Sequence, residues 1–155
     1  MTMGSDVEAS AAHRADVERK AEIVRVLMEV GNAANAVVAQ VLSEFGVPSS
    51  VASTLWVLAP GTEPPTMRDI AARLNCDPST VSLAADKLQS LGLVARQPHP
   101  ADGRKRTLAL TEHGHELWEA LRTRLHASGL FAGLDAQEQN TLLALLTKMH
   151  KPQRP

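Results

Sequence analysis

The sequence predicts a mainly α-helical fold with a small β-hairpin, and three observations support this. Apolar residues recur at steps of three and four over most of the chain, as on one face of a helix. Between residues 66 and 92, two short helical patterns are separated by a tight turn. Two short strand patterns around turn-forming residues then follow, up to residue 110. The 155 residues, 44% of them hydrophobic, suit one domain or one subunit of an intertwined oligomer.

The two short helices have start and stop signals. Thr66 and Asp69 have the spacing of a capping box, in which each side chain satisfies a free backbone N–H of the first turn. Asp77 is a suitable N-cap for the second helix, and Pro78 follows at the first helical position, where its missing N–H costs nothing. Gly92 is expected to end this helix. Its predicted buried face consists of Val81, Ala84, Ala85, Leu88 and Leu91.

The hairpin is predicted to consist of strands 93–98 and 105–110, joined by a turn that contains Pro100, Asp102 and Gly103. Together with the preceding helices it makes a winged helix-turn-helix, a shape that reads DNA. Residues 66–106 contain seven Lys or Arg and four Asp, a local charge of +3, whereas the whole chain has a charge of −1. The positive charge is therefore concentrated in the part of the chain that would face DNA.

Three motifs follow one another in this region: the GLV-R segment 92–96, the D-x-R segment 102–104 and the LTxxG segment 110–114. In order and spacing they resemble the MarR family of winged-helix regulators (multiple antibiotic resistance regulators). The resemblance is specific over about a third of the chain and looser in the flanking helices. It implies a ligand-responsive homodimeric repressor that binds a pseudo-palindromic operator in double-stranded DNA, with terminal helices that form the dimer interface.

Ten residues are predicted to contact or orient DNA. Helix 78–91 carries short polar side chains near its N-terminus, which allow close approach to a major groove. Arg104, at the hairpin tip, is expected to enter a narrow minor groove. The family pattern implies that Asp102 holds an Arg through a bidentate pair, although a plain Asp-Gly turn also explains this residue. The full set is Ser79, Thr80, Ser82, Leu83, Lys87, Arg96, Asp102, Arg104, Lys105 and Arg106.

Two residues of helix 78–91, the predicted reading helix, limit which bases this helix can recognise. Leu83 departs from the family pattern, in which Arg is frequent at this place. Leucine cannot hydrogen-bond guanine and can only touch a thymine methyl group, so the wing and the DNA shape are expected to contribute more. Asp86 would repel phosphate and is expected to orient Lys87 or a neighbouring Arg instead.

The helices outside the winged helix-turn-helix (66–111, the reading head) are rich in apolar positions. They are expected to pair with their copies in a second subunit, because one buried face would not account for so many apolar side chains. The polar ends are expected to be flexible. The predicted regions are a flexible N-terminus (1–15), N-terminal dimerisation and support helices (16–58), the winged helix-turn-helix (66–111), C-terminal dimerisation helices (112–150) and a tail (151–155).

The flanking helices also have predicted boundaries. A long helix is expected over residues 16–45, followed by a short helix that Ser49 or Ser50 caps. Thr111 is expected to cap the helix after the hairpin, and Asp135 begins a second capping-box spacing before the last helix.

Trp56 and Trp118 lie on helices that flank the reading head. In the family this chain resembles, small aromatic or phenolic ligands bind between the dimer helices and that head. Leu27, Trp56 and Trp118 are therefore candidate ligand-binding residues, with ordinary core packing as the alternative.

Two further features suggest sensor variants of the same regulator. Cys76 lies beside a helix N-terminus, where a thiol pKa can fall, so it is either a redox switch or a small half-buried turn residue. His113 and His115 point in different directions around a helix and cannot easily bind one ion together. Only one of them could serve, joined by His99 or His126, so a metal sensor is the alternative to a solvated first helical turn, and no metal-binding residues are assigned.

Composition argues against several other classes. Aromatic residues make up only 3% of the chain, too few to favour stacking of single-stranded bases. One Cys fits a reducing cytoplasm, and neither a signal peptide nor an apolar run long enough to cross a membrane is expected. No Gly-rich phosphate loop or nucleophile elbow indicates an enzyme or a cofactor. The remaining alternative is a winged-helix protein-interaction module without DNA binding.

Overall fold

The computed structural model describes residues 3–150, with side chains from residue 11 onward, so the predicted tail 151–155 lies outside the described residues. The described chain contains helices and one two-stranded antiparallel hairpin, which confirms the predicted mainly α fold. In chain order the elements are α1 (Met3–Glu44), a 3-10 turn (Ser49–Val51), α2 (Ala52–Val57), α3 (Met67–Leu74), α4 (Pro78–Ser90), β1 (Val94–His99), β2 (Asp102–Leu110), α5 (Glu112–Ala127) and α6 (Ala136–His150).

α1 is longer than predicted, because it begins at Met3 and not at Asp16. The expected flexible N-terminus 1–15 is therefore helical from Met3 onward. The sequence from residue 5 to residue 30 contains neither proline nor glycine and is rich in alanine, the residue with the highest helix propensity. A polar surface does not prevent a helix in such a segment, so polarity alone did not locate the start of α1.

The segment Ala11–Glu44 of α1 is long and apolar enough to cross a membrane, with a mean hydropathy of 1.2 over an 18-residue window. The expectation that no run reaches this length and composition is therefore wrong. The reason is that valine and leucine side chains on both sides of Gly31 raise the mean, although Asn32 and Asn35 interrupt the apolar run. Helices that pack against protein pass the same test, and a continuous transmembrane span is usually more uniformly apolar.

The chain divides into two compact units, residues up to Ala36 and residues from Val37 onward. The second unit contains the end of α1 together with all later elements. Val41 of α1 is fully buried in its core, as are the side chains that face it from the winged helix-turn-helix and from α5. The largest of these are Ile70, Leu88, Leu93, Leu108, Leu117 and Leu121.

Three helices begin with the predicted side-chain caps. At α3, the hydroxyl of Thr66 accepts the Asp69 N–H at 3.2 Å, and the Asp69 carboxylate accepts the Thr66 N–H at 2.9 Å. The Thr111 hydroxyl accepts an N–H from the first turn of α5 at 3.1 Å. Asp135 and Glu138 form the reciprocal pair at α6, at 2.8 and 2.9 Å. These starts depend on residues three apart, which explains why they could be predicted.

The predicted cap at Ser49 or Ser50 is wrong. The two serines lie inside the 3-10 turn, whose N-cap position is Pro48, and α2 begins only at Ala52. Proline has no side-chain acceptor, so this turn starts without a cap. At α4 the predicted positions are correct, with Asp77 at the N-cap, but the Asp77 carboxylate makes no capping hydrogen bond.

Candidate nucleic-acid interface

Helix α4 buries one face and exposes the other, as predicted. Val81, Ala85 and Leu88 are fully buried, which fixes the helix on the core of the second unit. Leu83 on the opposite face is 73% exposed, a high value for a leucine. The predicted contact residues Ser79, Thr80 and Lys87 are also exposed, whereas Ser82 and the expected core residue Leu91 are half-buried.

The turn between α3 and α4 sets the direction of α4. Asn75 ends α3 with a φ of +49°, in the left-handed region that asparagine tolerates better than most residues. The next N–H, that of Cys76, still reaches back to the Ala71 carbonyl at 3.1 Å. Cys76 is half-buried and lines a cavity of about 530 Å³ together with Thr80 and Lys87 of α4.

The wing carries an irregular tip that pushes Arg104 outward. β1 and β2 pair regularly from Val94 opposite Leu110 to Pro98 opposite Arg106. The register then shifts, so that His99 lies opposite Asp102 and residues 103–105 have no cross-strand partner. β2 therefore begins at Asp102, earlier than predicted, and Arg104 stands exposed on the bulge. A bulge of this kind re-aims a side chain and ends regular pairing.

Arg96 of β1 is tied to the reading helix. Its guanidinium donates to the Asp86 carboxylate at 2.6 Å and to the Gln89 side-chain oxygen at 2.9 Å. Asp86 is thus the residue that orients a neighbouring Arg, one of the two roles expected for it. The pair connects β1 to α4, so the wing and the reading helix are held in a defined relation.

Asp102 has a different role from the one that the family pattern implied. One carboxylate oxygen accepts the backbone N–H of Arg104 at 3.2 Å, and the other lies 3.7 Å from the Lys105 ammonium. Within the described residues it forms no bidentate pair with an arginine side chain. The carboxylate stabilises the turn at the wing tip, because the bulge turns the Arg104 backbone toward it.

The two tryptophans of the second unit are in contact. The Trp56 and Trp118 rings meet edge to face with centroids 4.9 Å apart. Trp56 is 41% exposed and Trp118 only 7%. The buried indole N–H of Trp118 has no hydrogen-bond acceptor in the described part of the chain. Leu27, the third predicted ligand residue, is half-buried and belongs to the first unit.

The histidines after the wing are engaged locally. The Nδ1 atom of His113 lies 2.9 Å from the Glu116 carboxylate, and its ring lies 5.5 Å from the Phe45 ring. His115 is exposed on the first turn of α5. Among the described residues, no group of three or more His, Cys, Asp or Glu side chains is placed to hold a metal ion.

Sequence reasoning did not include Arg68 or His99 among the predicted DNA contacts. Both line a cleft of about 410 Å³ between the first turn of α3 and the wing, together with the predicted residues Lys105 and Arg106. Arg68 follows the capping residue Thr66 by two positions, and this was the available signal. Arg68 entered the prediction only through the local net charge. No spacing rule predicts that a residue of α3 lies beside a strand about 37 residues later in the chain.

A family model described as the MarR family matches residues 45–105. The HTH-type transcriptional regulator YkoM of Bacillus subtilis is 31% identical over 87 residues, which cover 55% of this chain and 56% of YkoM, little more than half of either protein. Among solved structures, CouR of Rhodococcus jostii bound to p-coumaroyl-CoA superposes with a TM-score of 0.67 at 27% identity, covering 84% of this chain and 92% of CouR. The MepR F27L mutant of S. aureus, bound to an oligodeoxyribonucleotide, has a TM-score of 0.56 at 26% identity, covering 80% and 92%.

Proposed function

We propose that the chain is a winged helix-turn-helix regulator of the MarR family, and that it binds duplex DNA sequence-specifically as a transcriptional repressor in the cytoplasm. The observation that carries the proposal is that an exposed polar face of α4 lies beside a basic wing. A hydrogen bond from Arg96 of β1 to Asp86 of α4 holds the two together. The MepR mutant bound to an oligodeoxyribonucleotide has the same fold. α4 would read the major groove and Arg104 the adjacent minor groove.

Replacing Arg104 with alanine tests the wing. We expect Arg104→Ala to weaken binding about equally for the duplex upstream of its own gene and for a scrambled duplex, because a contact to backbone or groove shape carries little sequence information. The slope of log affinity against log salt should become shallower by about 0.9, the value for one lost charge contact. Fluorescence anisotropy at several salt concentrations measures both quantities.

Arg122→Ala is the matched control. Arg122 is an exposed residue of α5 that pairs with Glu119, so its replacement removes the same charge outside the wing. Unchanged affinity in Arg104→Ala would remove the wing from the interface. Wild-type protein that does not distinguish the two duplexes would instead favour a winged-helix module that binds protein.

We also propose that the protein is a homodimer, and exposed apolar side chains support this. α6 buries none of its residues in the single chain, and Leu143, Leu146 and Met149 recur at steps of three along it. α1 likewise exposes Ile23, Val24, Val26, Met28 and Val30. Large apolar patches of this kind normally mark an interface. A two-fold dimer would place two reading helices about 34–36 Å apart, one turn of DNA, on a pseudo-palindromic operator.

Finally, we propose that a small aromatic or phenolic ligand regulates DNA binding through a site at Trp56 and Trp118 of the second unit. The CouR structure contains a ligand with a phenolic group, p-coumaroyl-CoA. In this chain the unpartnered indole N–H of Trp118 supports the proposal, because a buried donor without an acceptor is costly and a ligand oxygen could satisfy it. Such a ligand would favour a conformation in which the reading heads no longer fit the operator.

Intrinsic tryptophan fluorescence tests the ligand proposal, since Trp56 and Trp118 are the two tryptophans of the chain. A set of phenolic acids should quench or shift the emission and release the operator over the same concentration range. Trp118→Phe removes the N–H donor and should weaken ligand binding by about tenfold, the typical effect of one unsatisfied buried hydrogen bond. Operator release without any change in emission would place the ligand elsewhere.

A further inference from the structure

The cleft between the first turn of α3 and the wing is lined mainly by cationic and hydrogen-bonding groups. Arg68 comes from α3, Lys105 and Arg106 come from β2, and His99 comes from the end of β1. Its volume of about 410 Å³ is more than sufficient for a phosphate group with some of its hydration shell. The cleft is open to solvent at the surface of the second unit, where a large anion could reach it.

The walls of this cleft are joined by backbone contacts. Thr66 forms an isolated antiparallel bridge with Thr107 of β2, and the Leu108 N–H donates to the Pro65 carbonyl at 3.0 Å. Thr107 and Leu108 are almost fully buried, so the side of β2 that faces α3 is anchored in the core. Arg68 and Arg106 are thus presented from two elements whose relative position is fixed.

The positive charge in the cleft is largely free. Within the described part of the chain, neither Arg68 nor Arg106 forms a salt bridge, and Lys105 has only the 3.7 Å contact with Asp102 at the wing tip. The one carboxylate that lines the cleft, Asp69, is committed to the capping box, where it accepts the Thr66 N–H at 2.9 Å and the Thr66 hydroxyl at 2.6 Å. These hydrogen bonds, both to one carboxylate oxygen, lower the pKa of Asp69 and hold the ionised group against Thr66.

His99 adds a ring N–H donor to the same cleft. Its Nδ1 atom accepts the backbone N–H of Ala101 at 3.1 Å, so the neutral ring carries its proton on Nε2. This leaves one ring N–H for an external acceptor. The bond across Pro100 also fixes the ring at the base of the wing tip.

We propose that this cleft binds a backbone phosphate of the DNA duplex, with Arg68 as an additional contact residue of the interface. The inference rests on the proposed function. If α4 lies in the major groove and Arg104 in the adjacent minor groove, the backbone between the two grooves must cross the surface between them. α3 packs against both α4 and β2, and its first turn forms one wall of the cleft. A guanidinium pairs with phosphate through two parallel hydrogen bonds, which suits Arg68 for this position.

Arg68→Ala should weaken binding to the operator and to a scrambled duplex by the same factor, roughly 5- to 10-fold at 0.1 M salt, as expected for one lost phosphate contact. The slope of log affinity against log salt should become shallower by about 0.9. Arg73→Ala is the matched control, because Arg73 is an exposed arginine of the same helix that does not line the cleft. It should bind like the wild type, and thermal unfolding should show that both variants remain folded.

A set of operator duplexes, each with one neutral methylphosphonate, locates the contact. Wild-type protein should lose affinity at one or two phosphates per half-site at which Arg68→Ala loses nothing further. If Arg68→Ala matches Arg73→Ala while Arg104→Ala still weakens binding, the cleft inference is wrong and the DNA-binding function stands. If the wild-type protein binds no duplex, the proposed function and this inference fail together.

Discussion

Replacing Gly114 with alanine is expected to destabilise the second unit by about 3 kcal/mol or more, or to prevent its folding. A Cβ atom at this position would stand 2.1 Å from the Leu93 carbonyl oxygen, far inside van der Waals contact. Neither side can yield easily, because the neighbouring Thr111 donates its N–H to the same Leu93 carbonyl at 3.0 Å and its hydroxyl to the Gly92 carbonyl at 2.5 Å. The glycine that ends the LTxxG motif is therefore required by the close packing of the two backbones.

Urea unfolding followed by circular dichroism measures this effect, with Gly133→Ala as control. A Cβ at Gly133 meets no atom within 4 Å, so that variant should unfold close to the wild-type midpoint. Equal midpoints for the two variants would mean that α5 can move away from the Leu93 backbone without cost. The close approach of the two backbones would then not constrain the sequence.

A charged residue in the apolar stripe of α6 is expected to separate the proposed dimer. Leu143 is 65% exposed and Leu146 is 37% exposed in the single chain. The double variant Leu143→Glu, Leu146→Glu would bury two carboxylates at a two-fold interface and repeat them in the partner, which is strongly unfavourable. Because two linked half-sites gain affinity from simultaneous binding, operator affinity should fall by about 100-fold or more.

Analytical ultracentrifugation should show a monomer, and affinity for a duplex with a single half-site should be nearly unchanged, because the reading head is intact. Gln137→Glu is the charge control, since it adds a carboxylate on the opposite side of the same helix, in its first turn. A double variant that remains dimeric would place the interface outside α6. Monomeric protein with full operator affinity would show that DNA binding does not need the dimer.

Local sequence signals determined the reading head. The capping boxes at Thr66 and Asp135 and the cap at Thr111 involve residues three apart, and the two-element pattern of α3 and α4 follows from short-range periodicity. Such signals work because each hydrogen bond closes within one turn, independent of the rest of the fold. The prediction failed at Ser49 and Ser50, where both serines lie inside a 3-10 turn with Pro48 at its N-cap position.

Contacts between elements distant in the chain were decided by the tertiary structure alone. The sequence indicated Arg96 and Asp102 as candidate contact residues. In the structure, β1 packs against α4 and Arg96 donates to the Asp86 carboxylate. At the bulge in β2, the Asp102 carboxylate accepts the backbone N–H of Arg104. The cleft of Arg68 and Arg106 exists because a backbone bridge between Thr66, the residue before α3, and Thr107 holds α3 beside β2. The sequence by itself determined which residues are charged and where helices start. Only the fold decided which charges meet and which remain free, because those distances depend on how separate elements pack in three dimensions.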